Sequence, residues 1–426
     1  MDRIIPKMKN SSVLKKIIAS LLLIVMSGAI GQLLLMAAYR LPTSRIASNI
    51  SVGGDILLLQ GAEYNYAEDY TESILDNETD AVILSEALFP EESPINGAVM
   101  VPRYVFHEGE TQVLSLKAFL NKDDISGAHI VNYPRYWHGY LAVLKPLFCV
   151  FDYSDFKIIN QAVQLILICV LFFLFIKRNL EKYIFAFIPM LIIWNPATIG
   201  VSLQYAACFY VSIIGSIIVL HKDWQDPWMF FVGLGIIISY LDFLTYPLVT
   251  LGIPLIFWVI KNVGKLKIQV SSVLKYGLYW STGYVGMWGV KWILGTLISR
   301  ENILFDALFN IESRTSTMVD GETITRIGTV IRLIDSTFFK WPYLIMFLCV
   351  TIYLFAKYYK TLRINSVTIA LFCIAIMPIV WFIFTANHSY IHPRLVYRNW
   401  GITIFAFLSI PLVGSGIETK TSEKVE

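Results

Sequence analysis

Residues 387–399, NHSYIHPRLVYRN, place two histidines and two arginines in one short polar turn between apolar runs. A second cluster, Arg135, Tyr136, Trp137 and His138, closes a long polar loop. These residue types suit a phosphate or pyrophosphate. Arginine offers a planar fork of donors, histidine a further donor and tyrosine a hydroxyl. The candidate ligands are therefore Arg135, Tyr136, His138, His388, His392, Arg394 and Arg398. The competing reading is an aromatic and basic belt that anchors helices at a membrane boundary. His388 and His392 have the spacing of helical metal ligands, but Pro393 follows at once and no third ligand stands nearby. No cofactor is expected, and a divalent metal stays open.

Carboxylates supply the second ingredient. Asp55 is the first acid after the first apolar run, and Asp242 ends a later one. Lys291 lies inside another apolar run, where it can snorkel or pair with Asp242 or a phosphate. An ionisable group flanked by apolar helix is a functional candidate because desolvating it is costly.

These side chains need a scaffold, and the composition says which kind. Of 426 residues, 56% are hydrophobic and 15% charged, against about 25% charged in soluble domains. Runs of roughly 20 apolar residues explain the shortfall, since a helix of that length crosses about 30 Å of hydrocarbon. Cys149, Cys169, Cys208, Cys349 and Cys373 all sit in apolar runs without CxxC spacing, as small buried hydrophobes do.

The pattern predicts an all-α polytopic membrane protein of about ten spans. Residues 1–39 hold a basic terminus and a retained first span, 17–38. Residues 40–155 form a mixed, mostly helical outer insertion with 17 acidic and seven basic residues, ending in a segment expected to lie along the bilayer surface. Further spans fall near 156–176, 183–199, 203–220, 228–241, 246–260 and 276–298. A second outer loop, 299–340, precedes spans near 341–356, 366–385 and 400–413, within 341–414. The tail is 415–426. Basic inner connections (Arg178, Lys222, Lys261, Lys275 and Lys357 among them) put both termini in the cytoplasm and the protein in the plasma membrane. Asn195-Pro196 interrupts one span, and Gly283, Gly286 and Gly289 mark a close-packing face.

This layout resembles the GT-C class of integral-membrane glycosyltransferases, which take sugars from polyprenyl-phosphate donors. The resemblance rests on the single first span, the acidic outer loop that follows it, and the re-entry Tyr133-Pro134-Arg135-Tyr136-Trp137-His138-Gly139-Tyr140 with Leu144-Lys145-Pro146-Leu147. Short hairpin spans and a late polar outer turn complete it. The family's catalytic acid stands close after the first span, often in an acidic pair; here the single Asp55 holds that place. The resemblance implies transfer of a sugar to a cell-envelope acceptor, with Asp55 as general base. Arg135, Tyr136, His138, Asp242, Lys291, His388, His392, Arg394 and Arg398 would bind substrate. The implied partners are a lipid-linked sugar and membrane lipids, not nucleic acid. Two other classes stay open: a flippase of lipid-linked glycans, and a non-catalytic envelope-assembly protein.

Overall fold

The computed structural model describes residues 4–106, 109–121 and 127–414, with side chains from residue 13; His107 and the 415–426 tail lie outside them. Every apolar run marked in the sequence is helical. Among the described residues, six helical stretches are long and apolar enough to cross a membrane: Val13–Ala38, Tyr153–Lys177, Leu203–His221, Trp341–Tyr358, Ser366–Phe384 and Pro393–Val413. Trp228–Leu241 and Val249–Asn262 are shorter apolar helices. Val270–Ser299 has 30 residues, which is about 45 Å of helix. The chain is thus an all-α, multi-pass membrane protein. Its β-structure among the described residues is three antiparallel two-stranded ribbons: Glu63–Asn65 with Ile74–Asp76, Arg103–Val105 with His129–Val131, and Met318–Val319 with Glu322–Thr323.

Local chemistry fixes where helices begin. The Asp152 carboxylate accepts from the Asp155 backbone N–H at 2.8 Å, opening the Tyr153–Lys177 helix. Asn365 caps the Ser366–Ala375 helix in the same way, accepting from Val367 and Thr368. Glycine sets one close crossing. A Cβ on Gly283 would stand 2.1 Å from the Val232 carbonyl oxygen, and one on Gly235 2.1 Å from that of Trp280. The Trp228–Leu241 and Val270–Ser299 helices therefore meet backbone to backbone. Gly286 faces Ile24 of the first helix, whereas Gly289 faces nothing within 4 Å. The three glycines do not share one face.

The two ends of the bundle differ. At one end Asp226 bridges Lys16 at 2.7 Å and Lys275 at 2.8 Å, and Asp223 bridges Lys261 at 2.8 Å and Arg178 at 3.6 Å. Arg178, Lys261 and Lys275, from two of the basic connections, and Lys16 thus share two aspartates.

At the other end sits the insertion, which is docked through helix ends. A helix N-terminus has unpaired N–H groups and a C-terminus unpaired carbonyls, so charges of the matching sign cap them. Asp80 accepts from the backbone of Leu203 at 3.1 Å and Gln204 at 3.3 Å, where the Leu203–His221 helix starts. Burial pushes its carboxyl up to about 7 despite those bonds. Lys145 donates to the Ala87 carbonyl at 2.7 Å, near the end of the Asn77–Leu88 helix. The Asn195-Pro196 break joins the same interface. Asn195 is left-handed, with φ of 52°, and its amide donates to the Tyr66 hydroxyl and the Glu72 carbonyl. The insertion therefore covers the interrupted helix.

One expectation changes here. The segment from Tyr133 is an internal wedge rather than a layer on the bilayer surface. Trp137, His138 and Lys145 are buried, and the Trp137 indole donates to the Met287 carbonyl at 2.8 Å. Helix begins only at Leu141 and ends at Phe148. An aromatic and cationic composition serves a buried joint as well as a surface belt, because in both places an apolar body carries a polar tip.

Candidate functional site

A cavity of about 430 Å³ opens between the Val270–Ser299 helix, the Ile303–Thr315 helix and the end of the Met377–Phe384 helix. Its floor is an aromatic ladder at four-residue spacing on one helix face: Trp280, Tyr284, Trp288 and Trp292. Successive ring centroids lie 4.7, 4.6 and 5.9 Å apart. Side chains four apart on a helix stack in register, so the sequence spacing dictates the ladder. Leu308 and Ile311 form the facing wall. Arg135, Asn310, Arg314 and Thr385 bring polar groups to the lining. Among the described residues, no aspartate or glutamate lines it.

Arg135 and Tyr136 are the two sequence candidates in the lining. The Arg135 guanidinium lies 3.2 Å from the Asp306 carboxylate and 5.0 Å from the centre of the Tyr133 ring. Its carbonyl accepts from the Trp292 indole at 2.8 Å, tying the wedge to the ladder. Tyr136 meets Trp288 edge-on at 6.1 Å. Burial raises the Tyr136 phenol well above its ordinary range, so it stays a neutral donor.

A second row stands behind the lining. His138 lies next to Tyr136, with centroids 6.3 Å apart, and its Nε2 is 2.9 Å from the Tyr133 carbonyl. Its Nδ1 is 2.6 Å from the Tyr140 hydroxyl, which donates to Glu86 at 2.6 Å. Asp242, just past Leu241, accepts from the N–H groups of Leu244 and Thr245 at 2.9 Å each and from the Thr245 hydroxyl. Burial lifts its carboxyl to about 6, against the pull of those bonds. Leu244 itself lines the cavity, and its carbonyl accepts from His388 Nε2 at 2.8 Å. His392 stacks near His388, with centroids 4.9 Å apart. Burial first, then the positive charge of Arg314, keeps His392 neutral down to about 4; burial, His392 and Arg314 hold His388 well below its usual range. Both rings are therefore neutral hydrogen-bonding groups at neutral pH.

The remaining candidates lie elsewhere. Lys291 Nζ donates to the carbonyls of Ala98 at 3.0 Å and Val99 at 2.9 Å, capping the Pro94–Met100 helix. Arg394 pairs with Asp76 at 3.1 Å and Glu63 at 2.6 Å, across the first ribbon of the insertion. Arg398 is fully buried, donates to the Arg394 carbonyl at 2.6 Å and lies 3.7 Å from the centre of the Tyr205 ring. These three dock the insertion and brace the last helix. Asp55 is exposed on the Thr43–Gln60 helix, outside the cavity lining, and makes no hydrogen bond or ion pair among the described residues.

Sequence reasoning missed Arg314, Asn310 and the ladder. The ladder had a readable signal, since Tyr276, Trp280, Tyr284, Trp288 and Trp292 repeat every four residues. The glycines of the same stretch drew attention to packing instead. Arg314 had no such signal, being one of several charges in a nearly neutral loop. No family model, curated protein or solved structure matches the chain.

Proposed function

We propose that the protein is a GT-C-like glycosyltransferase that moves a sugar from a polyprenyl-phosphate donor to a cell-envelope acceptor at the outer face of the plasma membrane. In this reading ten helical segments span the bilayer, both termini are cytoplasmic and the insertion lies outside. One observation carries the proposal: an aromatic-floored apolar cavity with Arg135 and Arg314 in its lining. An isoprenoid chain suits the floor, and a phosphate suits two guanidinium groups. Binding of the phosphate would draw Arg135 from Asp306.

The chemistry is a displacement. The acceptor hydroxyl attacks the anomeric carbon and the bond from that carbon to the phosphate oxygen breaks. Arg135 and Arg314 stabilise the charge on the departing polyprenyl phosphate, the configuration inverts, and a carboxylate takes the hydroxyl proton. Two carboxylates are separable as that base. Asp55 has the family's position in the chain, and Asp242 accepts from the N–H of Leu244, whose carbonyl meets His388 at the cavity wall. Purified protein is given polyprenyl-phosphate sugars and acceptor lipids, and the glycosylated product is measured. Loss of product in one of Asp55→Asn and Asp242→Asn, with donor binding kept, assigns the base. Full turnover in both removes them from the mechanism.

The lining's lack of carboxylates favours a second reading, a carrier that binds and flips the lipid-linked sugar without transfer. In proteoliposomes that reading requires translocation of labelled donor with no new glycosidic bond.

A further inference from the structure

We infer that the second outer segment lies in the outer leaflet of the bilayer, and that its helices frame a portal through which the cavity exchanges with lipid. The segment holds two helices, Ile303–Thr315 and Arg326–Phe338, joined by the Met318–Thr323 ribbon. Phe305, Phe309, Ile327, Ile331 and Phe339 are each 60–68% exposed. On the second helix the division is clean. Val330, Leu333 and Thr337 face the protein, while Ile327 and Ile331, one turn apart, face away. Water would meet five large apolar side chains here, a costly arrangement for a solvated loop.

Continuity with the flanking helices identifies what covers them. The exposed row Val285, Ile293 and Leu297 of the Val270–Ser299 helix leads to Leu304 and Phe305. On the far side, Ile327, Ile331 and Phe339 lead to Trp341, Ile345, Leu348 and Ile352 of the Trp341–Tyr358 helix, again exposed. That helix is among those able to cross a membrane. Exposed apolar side chains therefore continue along the chain from the spans into the segment and out of it again, as on a surface wetted by a single medium. Helices with one apolar and one polar face lie flat in the interfacial zone. The segment's charges nearly cancel, so apolar contact rather than attraction to anionic headgroups drives the docking.

The cavity mouth belongs to this surface. Val285, Leu308 and Phe384 both line the cavity and are exposed. Its rim is apolar on all three elements that form it, as a side entrance from lipid requires. The inference is independent of glycosyl transfer and holds equally for a carrier.

Photo-crosslinking tests it in the full-length protein within native membranes carrying alkyne-tagged acyl chains. p-Benzoylphenylalanine replaces Phe305, Phe309 or Ile331, and Glu322 on the ribbon as control. The first two changes exchange one aromatic ring for a larger one at exposed sites, so the fold persists; a thermal midpoint within error of the unsubstituted protein confirms it. Lipid adducts at 305, 309 and 331, several-fold above those at 322, are expected. Lipid adducts no stronger than at 322, or adducts to another polypeptide in their place, overturn the inference. A further Phe384→p-benzoylphenylalanine variant tests the portal: adducts there should fall when a soluble competitor of polyprenyl type fills the cavity, and persistence at full yield removes the portal while leaving the docking.

Discussion

The insertion and the second long connecting segment solve opposite problems. The insertion after the first helix is acidic, yet many of its charges are buried: Glu72, Asp76, Asp80 and Glu86 are each at most 2% exposed. Asp80 is held by a helix end, Asp76 by Arg394 and Glu86 by the Tyr140–His138 network. The second segment has its charges outside and apolar side chains exposed as well. Its ties to the rest are both apolar and polar: Ile303 and Ala307 pack with Val99, Met100 and Trp292, and Val330 and Leu333 join the main core. Asp306 meets Arg135, and the Asn387 amide donates to the Met318 carbonyl at 2.6 Å. The first segment is thus a rigid mount that fixes Arg135 and Tyr136 from behind. The second packs one apolar face against the bundle and turns another outward.

The contrast can be broken most sharply at Arg394. Arg394→Ala leaves Asp76 charged and buried, and truncating one partner of a buried pair costs about 3–5 kcal/mol. The thermal midpoint in detergent should drop by many degrees; a drop no larger than that of a surface variant would deny that the insertion is rigidly mounted. Glu72 gives the next effect. Burial raises its carboxyl to about 7, with Arg398 opposing, so the folded chain keeps a proton that the unfolded chain sheds near 4.3. Stability from this group is complete below about 4.3 and is lost as pH rises through 7, a span worth up to about 3 kcal/mol. Between pH 5 and 8 the midpoint should therefore fall, and Glu72→Gln should flatten that slope.

Lys145→Met comes third. It keeps the volume but removes the donor to the Ala87 carbonyl, and a buried acceptor left unpaired costs about 1–3 kcal/mol. Unfolding followed by tryptophan fluorescence reads that loss. The smallest effect is expected in the second segment. The Arg135–Asp306 pair is partly exposed, so Asp306→Asn should cost less than about 1 kcal/mol. The same change frees Arg135, and affinity for a polyprenyl phosphate should rise. A fall in affinity would mean that Asp306 orients the guanidinium rather than competing for it.

Much of the scaffold was legible because apolar length and period directly determine helices. The runs 228–241 and 203–220 became Trp228–Leu241 and Leu203–His221 with little change. Arg135 and Tyr136 were legible as cavity residues because they close the re-entry between polar loop and apolar run. Lys291 and Arg394 mislead for a physical reason. Backbone carbonyls at a helix end and carboxylates of a ribbon attract cations just as phosphate oxygens do. Residue type shows the demand for a negative partner, not which partner meets it. Asp55 was chosen by chain position, which carries no information about neighbours. Arg314 joins the cavity only because the Ile303–Thr315 helix folds back on the ladder, a long-range event with no local pattern.

The pairing of Arg394 with Glu63 and Asp76 has a consequence for biogenesis. The two acids leave the ribosome more than 300 residues before the arginine. Until the arginine follows, the insertion lacks this anchor point. A chain stopped short of Arg394 would leave both carboxylates without that guanidinium, so the ribbon is clamped only when distant parts of the chain have both been made.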